Sequence, residues 1–212
     1  MEEYVKKHNR LISAKLIQAF ASRNIEAFFS ETKDEALAKA LELIPETSTV
    51  SWGGSFSIEA IGLKTALING NYTVLNRDTA PDAQAKRDIE LASYNADFFL
   101  CSANAITQDG IIVNLDGAGN RVSAIANGPK TVLFIIGMNK LTKDIDSALS
   151  RVRNLAAPSN TLRFQLNTPC TSTGYCADCK SPDCICCHFL ITRFCRQNGR
   201  IKVLLVNEEL GF

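Results

Sequence analysis

Branched, strand-like runs and amphipathic, helix-like runs alternate through the first half of this chain, and that alternation restricts it to folds in which helices cover a parallel sheet. From Glu2 to about Ser22, the residues Val5, Leu11, Ile12, Leu16, Ala19 and Phe20 recur at helical spacing with Lys and Arg between them. This predicts a long N-terminal helix over residues 1–22. Ile25–Phe29 is short, aromatic and branched, and Thr32 with Glu35 makes a capping box ahead of Ala36, Leu37, Ala40, Leu41 and Ile44. A strand followed by a helix is expected there. The pattern repeats with strands over Ser48–Trp52, Tyr72–Leu75 and Asp97–Cys101 and helices over Ser57–Leu67 and Asp82–Ser93.

The middle of the chain changes character. Ile111–Leu115 is a branched run with Asp109-Gly110 before it and Asp116-Gly117 after it, which predicts a hairpin-like strand. A short helix over Arg121–Asn127 and a fully buried central strand over Thr131–Gly137 follow, then a helix over Asp144–Ala156 whose end Pro158 marks. Residues 159–199 are polar, cysteine-rich and punctuated by Pro169, Gly174 and Pro182, and only Arg200–Asn207 recovers a strand signature. The reading is a single domain over residues 1–212, with a cysteine-rich insertion over 168–195 placed before the last strand.

Seven of the eight cysteines lie in or beside that insertion: Cys170, Cys176, Cys179, Cys184, Cys186, Cys187 and Cys195. A disulfide framework would require an oxidising compartment, whereas the chain opens MEEYVKKHNRLISAKL, with no apolar h-region and no cleavage site. Reduced thiols in a soluble, cytoplasmic protein are therefore expected. Cys176 and Cys179 form a CxxC, the spacing that lets two thiolates chelate one metal, with Cys170 and Cys186 as third and fourth ligands. With only two His in the chain, thiolates would hold the metal, and zinc and an iron–sulfur cluster both remain open as cofactor. Buried free thiols are the plain alternative. A net charge of +1 supplies no electrostatic case for nucleic acid, and no apolar run approaches the ~18 residues of a membrane span.

Two further segments carry polar chemistry. Ser51-Trp52-Gly53-Gly54-Ser55-Phe56-Ser57 follows a strand and opens a helix, so Gly53 and Gly54 allow close backbone approach to an anion while Ser55 and Ser57 donate hydrogen bonds. Glu59, one turn on, would face the same pocket. A tight turn with a serine cap explains the same residues without a ligand. In the second segment, Asp109 precedes and Asn114 lies within a strand whose end carries Asp116, Gly117, Gly119, Asn120 and Arg121. Asp109 and Asp116 suit a general base or ligand acceptor, and Arg121 suits a carboxylate or phosphate. Two Asp-Gly turns and a capped helix are the alternative.

The chain resembles the LUD domain family, named for lactate utilisation proteins and formerly catalogued as a domain of unknown function. The motifs carrying the resemblance are SxGGSxS at Ser51–Ser57, DGxxVNxDGxGNRV at Asp109–Val122, GPKxVxxIxGxNK at Gly128–Lys140, TPCxxTGxCxDCxSPxxxC at Thr168–Cys186, and the closing GRIxVxLVxExLGF. The resemblance implies the fold of the NagB, RpiA and CoA-transferase-like proteins, a three-layer α/β/α sandwich around a mainly parallel sheet. It places Gly53, Gly54, Ser55, Asp116, Gly117, Gly119, Asn120 and Arg121 around one ligand site. It further implies a small anionic metabolite, redox partner subunits, and an accessory or redox role in lactate or related organic-acid utilisation. Catalysis is left open, with Asp116, Arg121 and Glu59 as the candidates. A sugar-phosphate isomerase or CoA-transferase-like enzyme on the same fold, and a non-enzymatic partner subunit or sensor with a structural zinc knot, are the other readings. Oligomerisation is compatible with all of them.

Overall fold

The computed structural model describes residues 1–212. Its main sheet has six parallel strands in the order β1 (Glu26–Ser30), β10 (Ile201–Val206), β7 (Thr131–Gly137), β4 (Phe98–Cys101), β2 (Thr49–Trp52) and β3 (Thr73–Leu75). Parallel strands need crossover connections, which the alternating helices supply. The central strand β7 sends Leu133 and Ile135 to one face and Phe134 and Ile136 to the other. This is why its sequence is continuously apolar.

One face is covered by α2 (Lys33–Leu43), α3 (Phe56–Ala60) and α4 (Leu63–Asn69), whose Ala36, Ala40, Ile58, Leu63 and Leu67 pack on Trp52, Leu100 and Leu204. On the other, α1 (Glu3–Ser22) inserts Leu16 and Phe20, and α6 (Asn120–Ala126) inserts Ala124 and Ile125, against Phe99, Phe134 and Val203. Helix α5 (Ala83–Ala92) lies between β3 and β4 in the chain and ends in a short 3-10 turn. The result is a three-layer α/β/α sandwich. No helix is long and apolar enough to cross a membrane.

A second sheet, not anticipated from the sequence, has the order β8 (Leu141–Thr142), β5 (Ala105–Thr107), β6 (Ile112–Asp116) and β9 (His188–Thr192). Strands β5 and β6 form the expected hairpin, with Gly110 in the left-handed region at φ +83°. Ile106 and Ile112 face the main sheet, while Ala105, Val113 and Leu115 face Ala148, Val152 and Ala157 of the C-terminal helical run. That alternation places the small sheet between two apolar surfaces.

Three local expectations change. The helix expected over Ser57–Leu67 breaks at Gly62, whose φ of +75° separates α3 from α4. The helix expected to end before Pro158 continues as α7 (Ile145–Arg151), a π turn (Val152–Ala156) and α8 (Ala157–Phe164). The widened turn accepts a proline that has no N–H to donate and would clash in a regular turn. Residues 159–199 are not irregular throughout, because they hold the end of α8, α9 (Pro169–Thr173) and β9. Pairing of β9 with β6, with His188 opposite Asp116, fastens the end of the cysteine segment to the small sheet.

Candidate functional site

The loops leaving the carboxyl ends of the parallel strands meet in one cleft of about 240 Å³. Ligands in open α/β sheets bind in this position. Gly54–Ser57 follow β2, Arg77 follows β3, Ser102–Asn104 follow β4, Lys140 follows β7, and the terminal Gly211 and Phe212 follow β10. The loop after β6 adds Asp116, Gly117, Asn120 and Arg121, helix α8 adds Asn160 and Arg163, and the cysteine segment adds Ile185.

Asp116 organises its loop from within. Its carboxylate accepts the backbone N–H groups of Gly119 at 3.2 Å, Arg121 at 3.1 Å and Val122 at 3.2 Å, and stands 3.6 Å from Arg121 Nε. These contacts satisfy first-turn amides of α6 that would otherwise lack partners. Gly119, at φ +82°, permits the sharp entry into that helix and lies against the His188 ring. Arg121 then reaches across the cleft, donating to Leu115 O, to Gly54 O at 3.4 Å and to Asn104 Oδ1 at 3.5 Å. A Cβ at position 53 would stand 3.0 Å from Arg121 Cδ, so Gly53 leaves the room in which that side chain lies. Arg121 Nε and the hydroxyl of Ser55 are both buried without a hydrogen-bond partner, although Nε keeps its ionic contact with Asp116.

The other expected residues divide. Gly54, Ser55, Ser57, Asp116, Gly117, Asn120 and Arg121 line the cleft together. Asn120 also donates to Glu90 at 2.7 Å, which in turn accepts from Arg77 at 2.7 Å. Asn114 is fully buried and donates to the Ser102 carbonyl at 2.9 Å, supporting the loop after β4 from beneath. Glu59 does not line the cleft, because it is drawn outward into an ion pair with Lys64 at 2.7 Å. Asp109 lies at the β5–β6 turn, where Arg23, directly after α1, and the Thr107 hydroxyl bind it, each at 2.5 Å.

The structure adds a residue that motif reading left without a role. Lys140 is 3% exposed, and its Nζ donates to Ser57 Oγ at 3.3 Å, Ser102 Oγ at 3.1 Å and Ala103 O at 3.1 Å. No carboxylate pairs with it. Burial, aided by the guanidiniums of Arg151 and Arg121, pushes its amine down to about 7. Arg163 is a second addition, with its guanidinium stacked 4.5 Å from the Phe56 ring and 4.0 Å from the Phe164 ring. A signal for Lys140 existed in the sequence: a lysine directly beyond the most apolar strand, at the end where ligands bind. Arg163 lay in a segment read as irregular.

The cysteines are all free thiols and gather unevenly. Cys184 and Cys186 sulfurs stand 3.0 Å apart. Burial raises the Cys184 thiol, but hydrogen bonds with Cys186, Cys187 and Cys179 outweigh it and hold that thiol below its usual range. Cys186 is pushed up to about 12 by burial and then by the adjoining Cys184. Cys176 lies 3.6 Å from Arg153, whereas Cys170 is turned toward the hydroxyls of Thr161 at 3.3 Å and Thr168 at 3.2 Å. The donors suit zinc or an iron–sulfur cluster in softness, although no three ligating side chains stand at metal-binding spacing as placed.

Comparison with known proteins agrees with this architecture. The crystal structure of a DUF162 family protein from Deinococcus radiodurans superposes with a TM-score of 0.52 at 12% identity, covering 94% of this chain and 98% of that one. At that identity the likeness concerns the fold. No curated protein matches the sequence. The family model for the LUD domain matches residues 13–206, which include every strand of both sheets and most of the cleft, and the chain belongs to the LUD domain family.

Proposed function

We propose that the cleft binds a small anionic metabolite, and that the protein serves an accessory or redox role in lactate or related organic-acid utilisation. One observation carries the first half. Lys140, Arg77, Arg121 and Arg163 all line a cleft whose only lining Asp or Glu side chain is Asp116, and Asp116 is already engaged by backbone amides and Arg121. A buried ammonium with no carboxylate partner is costly, and a carboxylate or phosphate entering the cleft would offset that cost. Arg121 offers a forked donor for such a group, and Ser55 offers an unpartnered hydroxyl.

The redox half rests on family membership and on the cysteine segment. Cys176, Cys179 and Cys186 would hold zinc or an iron–sulfur cluster, with either Cys170 or the more closely gathered Cys184 completing the set. A cluster would supply electron transfer and zinc would supply rigidity. Exposed Tyr175, Phe189, Ile191 and Phe194 in and after this segment favour docking of a redox partner subunit there. Isomerase or CoA-transfer chemistry based on Asp116 or Glu59 is disfavoured, because one carboxylate caps a helix and the other points away from the cleft.

Calorimetric titration with lactate, succinate and inorganic phosphate tests the binding. Arg121→Ala should weaken the best of these at least about tenfold, the value of one charged hydrogen bond, while Asp109→Asn should leave it unchanged. Equal affinity in both variants rejects the cleft as the site. Metal and labile-sulfide analysis of anaerobically purified protein tests the second half, and finding no iron rejects the redox role.

A further inference from the structure

The cleft contains a Ser–Ser–Lys array whose two serine hydroxyls neither anion binding nor redox chemistry uses. Ser102 Oγ stands 3.1 Å from Lys140 Nζ and 3.1 Å from Ser57 Oγ, and Ser57 Oγ stands 3.3 Å from the same amine and donates to Leu210 O at 3.2 Å. We propose that Ser102 is a nucleophile activated by Lys140, and that the cleft catalyses acyl transfer from small anionic esters or thioesters to water. The anionic character of the acyl group rests on the binding reading given above. The nucleophile and its base rest on the array alone.

Geometry selects among the members of the array. A nucleophile needs a base within hydrogen-bond reach, and that base needs a third group to orient it. Lys140 satisfies the first condition for either serine, and Ala103 O at 3.1 Å fixes the amine in place. Ser57 is 1% exposed and its hydroxyl lies between the Leu210 carbonyl and Ser102 Oγ, within hydrogen-bond reach of both, so it positions the other two. Ser102 is the more open serine at 6%, and it leaves the sheet directly beyond β4 on a loop whose carbonyl Asn114 holds at 2.9 Å. The groups facing Lys140 are Arg151 from α7, Arg121 from α6 and the buried Cys101 thiol from β4. Burial first and then the two cations favour the unprotonated amine, the form a base requires, while Cys101 opposes them.

The step balances with water as co-reactant. Ser102 Oγ bonds to the acyl carbon as its proton passes to Lys140 Nζ, the bond from that carbon to the leaving oxygen or sulfur breaks, and the leaving group takes the proton from the ammonium. Water then adds to the acyl carbon, giving its proton to Lys140, and Ser102 leaves with that proton restored. Arg121 and Arg163 on the cleft wall would hold the anionic end of the acyl group away from Ser102.

Treatment of the full chain with a fluorophosphonate, followed by peptide mass mapping, tests the nucleophile. The expected result is a single adduct on Ser102, formed faster as pH rises through about 7 and lost in Ser102→Ala. Lys140→Met should slow adduct formation at least about a hundredfold, in the range assigned to general-base catalysis. Hydrolysis of 4-nitrophenyl hemisuccinate should exceed that of the uncharged acetate ester. Absence of any adduct on wild-type Ser102 overturns the proposal without recourse to a variant that must fold. Succinate binding with no adduct would sink the acyl chemistry and leave the anion reading standing, whereas an adduct without succinate binding would do the reverse.

Discussion

At the scale of single residues, Lys140 has the chemistry furthest from that of an ordinary surface lysine. Its amine is brought down to about 7 in the folded chain and stands near 10.4 when unfolded, so between those values the unfolded state binds the extra proton. Stability from this group is therefore smallest below pH 7 and rises with pH up to about 10, with a slope of up to about 1.4 kcal/mol per pH unit. Urea melts across that window should show the rise in the wild type and lose it in Lys140→Met. Equal slopes would mean that the amine is not held unprotonated. Neither the burial nor the two guanidiniums causing it is visible in the local sequence, since Arg121 and Arg151 are distant along the chain and meet Lys140 only after β7, α6 and α7 have packed.

At the scale of elements, the β6–α6 connection shows how a motif can be legible while its role is not. The sequence placed Asp116 and Arg121 at a strand end, and the structure puts both on the cleft wall. It also uses Asp116 as the cap that orients α6 and aims Arg121, a role the types and spacing of the residues also permit. Asp116→Ala should lower stability by about 1–2 kcal/mol through the lost cap and weaken anion binding through Arg121. A variant with unchanged melting temperature and unchanged affinity would contradict that account. Helix α1 is a mixed case: of the six apolar positions its periodicity marked, Leu16 and Phe20 are buried, whereas Val5 and Leu11 are exposed. Phe20→Ala should cost about 3–5 kcal/mol, measured by chemical denaturation, since its ring is completely buried under the sheet.

At the scale of the molecule, the two thiol-bearing and ligand-bearing regions are neighbours. Ile185, between Cys184 and Cys186, lines the cleft, and its Cα would lie 3.1 Å from a Cβ at Gly117. The Cys187 amide donates to Asp116 O at 3.1 Å. Alkylating the gathered thiols should therefore shift anion affinity, and titrating the modified protein would reveal an unchanged affinity if the regions are independent. Backbone exchange should also differ sharply, being slowest in Val132–Ile136 and Val203–Leu205 of the central strands and fastest in residues 174–187, where regular structure is absent. Hydrogen-exchange mass spectrometry would expose a rigid cysteine segment directly.

Local periodicity and turn chemistry determined the alternating elements, the buried central strand and the cysteine-rich insertion, because those patterns act over a few residues and need no partner to be recognised. Only tertiary structure decided that β5, β6, β8 and β9 form a second sheet, that Glu59 and Asp109 leave the cleft, and that Lys140, Arg163 and Ser102 enter it. The physical reason is the same throughout. A side chain's charge state and reach depend on which distant groups bury it, and in a parallel sheet the loops that share a cleft come from strands far apart in the chain.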